Sequence, residues 1–218
     1  MKKNKKMDII YEDKDLLVVN KPANLLCIGT DKERVRTLYH EAYEYVHKKN
    51  KNNRIFIVHR LDRETSGVVL FAKNEKMKRF LQNNWNEIAK TRRYIAIVEG
   101  CVKEEFGHIE EYLTDDLFHH TYVTDKNHGT LAITDYKVLK RSKNYSLLEV
   151  NIKTGRKNQI RVALSNLHHP IIGDKKYGSI KNPNRHMFLH HETLEIILPN
   201  KTVLTLKAKT PEYFSIFK

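Results

Sequence analysis

Apolar positions along the chain fall into short runs with a strand-like period, broken by fewer helical stretches. The opening, IIYEDKDLLVVNKP, predicts two short strands around a polar turn at Glu12 to Asp15. Residues 33–49 have helical spacing. RIFIV (54–58) and GVVLFA (67–72) are continuous apolar runs of strand type, with the charged segment HRLDRETS between them. Met77, Phe80, Leu81 and Trp85 recur at helical intervals, which predicts one amphipathic helix over 75–88. Tyr94 to Val98 reads as a strand ended by Gly100. Further strands are expected near 107–113, 131–139 and 145–152. Thr154 and Gly155 make a turn, and Arg156 to Leu167 reads as a helix whose buried stripe is Ile160, Leu164 and Leu167. Two strands, near 188–198 and 202–208, complete the pattern. Many strands with few crossover helices predict an α+β fold on a mixed, mostly antiparallel sheet flanked by helices.

Composition narrows the class. With 40% hydrophobic and 30% charged residues over 218 positions, the chain suits a soluble globular protein. No apolar run approaches the roughly 20 residues that span a bilayer. The basic start, MKKNKKMDII, has no apolar stretch or cleavage site of a signal peptide, so a cytoplasmic location is expected, with residues 1–7 as a flexible basic tail. Cys27 and Cys101 make neither a disulfide framework nor a metal-ligand spacing.

Forty Lys and Arg stand against 26 Asp and Glu, a net charge of +14. Such a balance suits a polyanionic partner, because each cation laid on a phosphate releases counterions. A lysine-rich composition alone produces the same number, so charge leaves both readings open.

Three segments have the residues for chemistry. In HRLDRETSG (59–67), Asp62 is flanked by Arg60 and Arg63 on a loop between two apolar strands. Burial alone neutralises a carboxylate, whereas adjacent guanidinium groups keep it ionised. The same residue types also make an ordinary solvated turn. In TGRKNQIRVAL (154–164), Arg156, Gln159 and Arg161 surround a helix start, a setting for an anion or for a simple capped helix. In RRYIAIVEG (92–100), Tyr94 either offers its ring to a base or fills the core. His119, His120 and His128 lie near Asp115, Asp116 and Asp125, but neighbouring histidines in a strand face opposite ways and no recognised ligand spacing occurs. No metal is expected. Neither GxGxxG nor GxxxxGK[ST] is present, so no nucleotide cofactor is expected either.

Five segments, YEDKDLLVVNKPANLL, HRLDRETSGVVLFAKN, RRYIAIVEG, TGRKNQIRVAL and HPIIGDKKYG, together resemble the RluA family of pseudouridine synthases. The resemblance implies one catalytic domain over 1–218; many members carry an N-terminal S4 RNA-binding domain, and with the strand pair opening at Asp8 none is expected here. It also implies action on ribosomal or transfer RNA without a cofactor; a monomer away from membranes is expected. It puts Asp62 on the catalytic aspartate, Tyr94 on the tyrosine that packs against the target base, and Arg161 on the basic residue that pairs with the aspartate. Arg60, Arg63, Arg156 and Gln159 are then expected to contact RNA. Two positions depart from the pattern. Asn24 replaces a glycine after NKPA, where an asparagine can hold a left-handed turn. Asn158 replaces a histidine before Gln159. Two other readings remain open at this level: a catalytically silent RNA-binding module and a base-flipping enzyme that acts on DNA.

Overall fold

The computed structural model describes residues 7–31, 33–181 and 185–217. The expected basic tail therefore lies, but for Met7, outside the described residues. The chain divides into two compact units, Met1–Lys90 with Glu192–Lys209, and Thr91–His191 with Thr210–Lys218.

In the first unit β1 (Ile9–Glu12) pairs antiparallel with β2 (Leu16–Lys21), and β2 with β4 (Ser66–Ala72). The short β3 (Phe56–Ile57) also lies along β4. All seven residues of β4 are buried. Coverage of both faces is why this strand reads as an unbroken apolar run without alternation. Leu16, Val18, Val68, Leu70 and Ala72 enter one core with Met77 and Leu81 of helix α2 (Glu75–Asn83). Leu194, Ile196 and Leu206 join them from the last two strands, β10 (Leu189–Ile197, of which 192–197 belong here) and β11 (Val203–Lys207).

Helix α1 runs over Leu38–Lys49, shorter at its start than the 33–49 expected. Glu33 Oε1 accepts from the amides of Val35 and Arg36, and this local turn competes with helix. Thr37 then caps the helix through the His40 amide at 3.1 Å. The single helix expected over 75–88 is two, α2 and the one-turn α3 (Trp85–Ile88), interrupted at Asn84. Phe80 and Trp85 still pack on the core.

In the second unit the strands stand in the order β5 (Ala89–Glu99, from Thr91 on), β9 (Tyr145–Ile152), β8 (Thr130–Arg141), β6 (Phe106–Asp115) and β7 (Thr121–Thr124). Each neighbouring pair is antiparallel. The four residues of β7 were not anticipated; TYVT is too short to show a period. Helix α4 (Gln159–Asn166) packs Val162 against Leu113, Ala132 and Tyr177. It starts three residues later than expected, because Asn158 takes a left-handed conformation (φ 51°). All of Gln159–Leu164 is buried, whereas Leu167, expected in the stripe, lies beyond the helix end and is 37% exposed. The α+β class and the largely antiparallel pairing are as expected; an isolated parallel bridge joins Leu26 and Thr37.

Candidate active site

The HRLDRETSG loop of the first unit is held at several points. His59 starts it: its ring stacks on Trp85 at 5.0 Å, and its Nε2 accepts the Leu70 amide at 3.1 Å. The loop ends at Gly67, whose φ of 118° is open to glycine and costly for other residues. Between these ends, both neighbours of Asp62 are tied down. The Leu61 amide donates to Cys27 Sγ at 3.2 Å. The Arg63 carbonyl accepts from Lys21 Nζ at 3.0 Å. Asp62 is thus presented from a rigid backbone and is itself half-buried.

Lys21 was not singled out from the sequence. It ends the apolar strand β2 with no exposed surface at all. Its ammonium has three donors, and the carbonyls of Pro22 (3.0 Å), Leu25 (2.8 Å) and Arg63 (3.0 Å) take them. A buried charge without such partners would cost several kcal/mol. Register explains the meeting: β2 and β4 place Lys21 opposite Gly67, at the mouth of the loop. Asn24 holds the intervening turn with φ 65°, as expected for the residue that replaces glycine. Burial lowers the Lys21 pKa to about 8, while Cys27, Glu64 and Asp62 pull it back up. Arg60 and Arg63, by contrast, are exposed. The buried cation beside this loop is therefore a lysine 41 positions upstream of Asp62 rather than a flanking arginine.

In the second unit Tyr94 is 8% exposed and stacks on His191, with ring centres 4.4 Å apart and planes 16° apart. Two positions earlier Arg92, also buried, donates to the Lys153 carbonyl and so supports the turn that begins TGRKNQIR. Its burial lowers its pKa.

Gln159 organises that turn. Its Oε1 accepts from Thr154 Oγ1 (2.7 Å) and the Arg156 amide (3.0 Å). Its Nε2 donates to the Ile133 carbonyl (2.9 Å) and Thr134 Oγ1 (3.0 Å). With 3% exposure and its amide engaged on both sides, Gln159 braces the fold, where the sequence had suggested a contact with RNA. The two arginines separate. Arg156 is exposed, with Nε on the Leu131 carbonyl at 2.9 Å. Arg161 is buried: Nε and Nη2 meet the two oxygens of Asp174 at 2.6 and 2.7 Å, and its guanidinium lies 5.0 Å from the Tyr177 ring centre. Asn158 Oδ1 accepts from Tyr177 Oη at 3.0 Å and Lys176 Nζ at 3.2 Å, so the asparagine in the family's histidine position is a buried acceptor.

Asp174, Lys21 and Arg92 escaped the sequence reading. The signal for each was a charged residue beside an apolar run: VVNK, RRYIAIV and PIIGD. Of the acidic and histidine residues around the β6–β7 and β7–β8 turns, Asp115 pairs with Lys157 at 2.8 Å and Asp125 with His128 at 2.8 Å. Among the described residues no group of three or more His, Cys, Asp or Glu gathers as a metal site, and no helix is long and apolar enough to cross a membrane.

A carboxylate held on a braced loop of an antiparallel α+β scaffold can serve many reactions, and comparison with known proteins narrows the choice. Residues 15–166 match the RNA pseudouridylate synthase family, a span that includes Asp62, Tyr94 and Arg161. The chain is 35% identical over 217 residues to ribosomal large subunit pseudouridine synthase D of Borreliella burgdorferi, covering 96% of this chain and 67% of that one. It is 34% identical to tRNA pseudouridine synthase C of Haemophilus ducreyi, covering 82% and 77%. Against two further curated relatives it spans only 59% and 56% of their length. The structure of human RNA pseudouridylate synthase domain containing 4 superposes with a TM-score of 0.79 over 95% of this chain and 90% of that one, at 24% identity, which shows the shared fold. The chain belongs to the RNA pseudouridine synthase family, in its RluA branch.

Proposed function

We propose that this protein isomerises uridine to pseudouridine at chosen sites in structured RNA, with Asp62 as its catalytic carboxylate. One observation carries the reading: in a chain of this family, the residue on each side of Asp62 is fixed to a distant element, through Leu61 to Cys27 and through Arg63 to Lys21. That is how a scaffold holds a reacting group in position.

The reaction breaks the N1–C1′ bond, turns the uracil and joins C5 to C1′; the proton on C5 then leaves. Asp62 either attacks C1′ as a nucleophile or takes a proton from C2′. Tyr94 packs against the base, and Arg161 is the basic residue of the reaction. The target nucleotide must leave its stack, at a cost of a few kcal/mol. Arg60 and Arg63, both exposed, fill the gap or hold phosphates, and Arg156 adds a phosphate contact. No cofactor or metal takes part. The relatives' names point to ribosomal or transfer RNA as the substrate. We place the enzyme in the cytoplasm as a monomer away from membranes, with residues 1–218 as one catalytic domain.

Tritium release tests this. RNA transcribed with tritium at uracil C5 is expected to lose label to water in the presence of the protein, and not with Asp62→Asn. Absence of release from ribosomal and transfer RNA of a strain lacking the protein would leave a silent RNA-binding module. Release from DNA alone would leave a DNA enzyme.

A further inference from the structure

Three Lys or Arg side chains are buried among the described residues: Lys21, Arg92 and Arg161. Lys21 spends its ammonium on three carbonyls, and Arg161 lies fork-on-fork against Asp174. Arg92 has neither arrangement. It is 6% exposed, yet only one of its N–H groups is engaged, from Nη2 to the Lys153 carbonyl. Its Nε is enclosed without an acceptor, and no carboxylate among the described residues pairs with it. Burial lowers its pKa, and the Tyr94 phenol alone works the other way. A buried cation without an anion is costly to a fold that uses it only as a brace.

One side of the guanidinium is open. Nη1 faces Gly155, an exposed residue of the turn that begins TGRKNQIR. A Cβ built on Gly155 would stand 3.4 Å from Nη1 and within 4 Å of no other atom outside the adjoining residues. The glycine thus leaves room for a guest oxygen beside Nη1, where another residue would put carbon. Arg92 also precedes Tyr94 by two positions on β5, which puts both side chains on one face of the strand. Two residues of strand span about 6–7 Å, close to the reach from a nucleobase to the phosphate of the same nucleotide.

We infer that Arg92 binds a phosphate flanking the target uridine, whose oxygen accepts from Nη1 over Gly155 while the base packs on Tyr94. The inference rests on the reading of the chain as a uridine-isomerising enzyme and adds a substrate contact to it. A phosphate there supplies the buried cation with the negative charge that Asp174 supplies to Arg161. A base carbonyl is the poorer ligand, since it is neutral and leaves the guanidinium uncompensated. A wholly structural arginine is the poorer reading as well, because holding the Lys153 carbonyl takes one donor and no charge.

Binding of a fluorescein-labelled oligouridylate, read by anisotropy across a range of salt, tests the contact without turnover. Arg92→Met is expected to weaken binding by about 10- to 100-fold and to lower the salt slope by about one counterion. Arg92→Lys should restore the slope but only part of the affinity, since an ammonium keeps the charge and loses the planar fork. Gly155→Ala sets a methyl in the phosphate position and should weaken binding several-fold with an unchanged thermal melt, because the residue is exposed. Should Arg92→Met fail to fold, Gly155→Ala decides alone. Wild-type affinity in Gly155→Ala overturns the inference, as does an unchanged salt slope in Arg92→Met, since the arginine is then a brace only. So does a wild type that does not hold the oligouridylate at low salt. If tritium is released while both variants bind like wild type, this inference fails alone. If no RNA releases tritium but both variants bind more weakly with the lowered slope, the synthase reading fails and the phosphate site stands.

Discussion

Arg161 and Asp174 form a buried fork in which Nε and Nη2 meet the two carboxylate oxygens at 2.6 and 2.7 Å, with the residues 5% and 2% exposed. Each charge compensates the other inside the fold. The planar guanidinium satisfies both oxygens at once, which a lysine could not do. The fork also fixes the orientation of a side chain proposed to take part in the reaction, 13 positions upstream of its partner.

Asp174→Ala removes two charge-assisted hydrogen bonds from the buried Arg161 guanidinium, so the protein is expected to lose about 2–5 kcal/mol of unfolding free energy. Urea denaturation checks this. A loss under about 1 kcal/mol would mean that the arginine finds another partner at no cost.

Asp62→Asn is expected to abolish tritium release while RNA affinity stays within a few-fold of wild type. The amide is nearly isosteric but is neither nucleophile nor base. Robust turnover by the purified variant would falsify the catalytic assignment.

Lys21→Met removes the buried donor of three part-buried carbonyl hydrogen bonds and is expected to cost about 2 kcal/mol or more. The variant should also respond differently to pH. In the folded protein the Lys21 pKa is lowered to about 8, against an ordinary 10.5. Between these values the unfolded chain binds more protons, so this group makes stability rise with pH across that window. Unfolding free energies of wild type and Lys21→Met at pH 7.5 and 10 should differ in slope accordingly. Equal slopes would show that Lys21 titrates normally.

Glu12 governs the acid side. Burial opposes its ionisation, but hydrogen bonds from Lys49, Tyr45 and Lys73 outweigh it and bring the carboxyl down to about 2. A depressed carboxylate stabilises the fold fully above its ordinary value near 4.5 and loses that contribution as pH falls toward 2. Glu12→Gln should therefore destabilise the protein at pH 7 and show a flatter loss between pH 4.5 and 2. Superimposable acid-unfolding curves would count against it.

Arg156 is exposed where Arg161 is buried, so the two should fail differently. Arg156→Met is expected to weaken RNA binding and reduce its salt slope by about one counterion. Arg161→Met is expected to lower the single-turnover rate far more than affinity. Exchanged phenotypes would reverse the two roles.

The amino-acid sequence by itself determined the α+β class, most strand positions and the motif that bears Asp62. Period-2 and continuous apolar runs report local burial, and a string as specific as HRLDRETSG reports ancestry. Its place between β3 and β4 was also legible, because polar residues there interrupt two apolar strands. Element ends were less so. Glu33, Asn84 and Asn158 use side-chain bonds or a left-handed backbone to start or break helices, and no period records that. Charged and polar residues were the least legible. Lys21 looks like a surface lysine until β2 and β4 align it with Gly67 and three carbonyls converge on it. Gln159 looks like a ligand to RNA until Thr154, Ile133 and Thr134 surround its amide. Asp174 has no visible role until it meets Arg161. Whether a polar side chain braces the fold or faces a ligand depends on which distant backbone and side-chain groups come within 3 Å, and only tertiary structure brings them there.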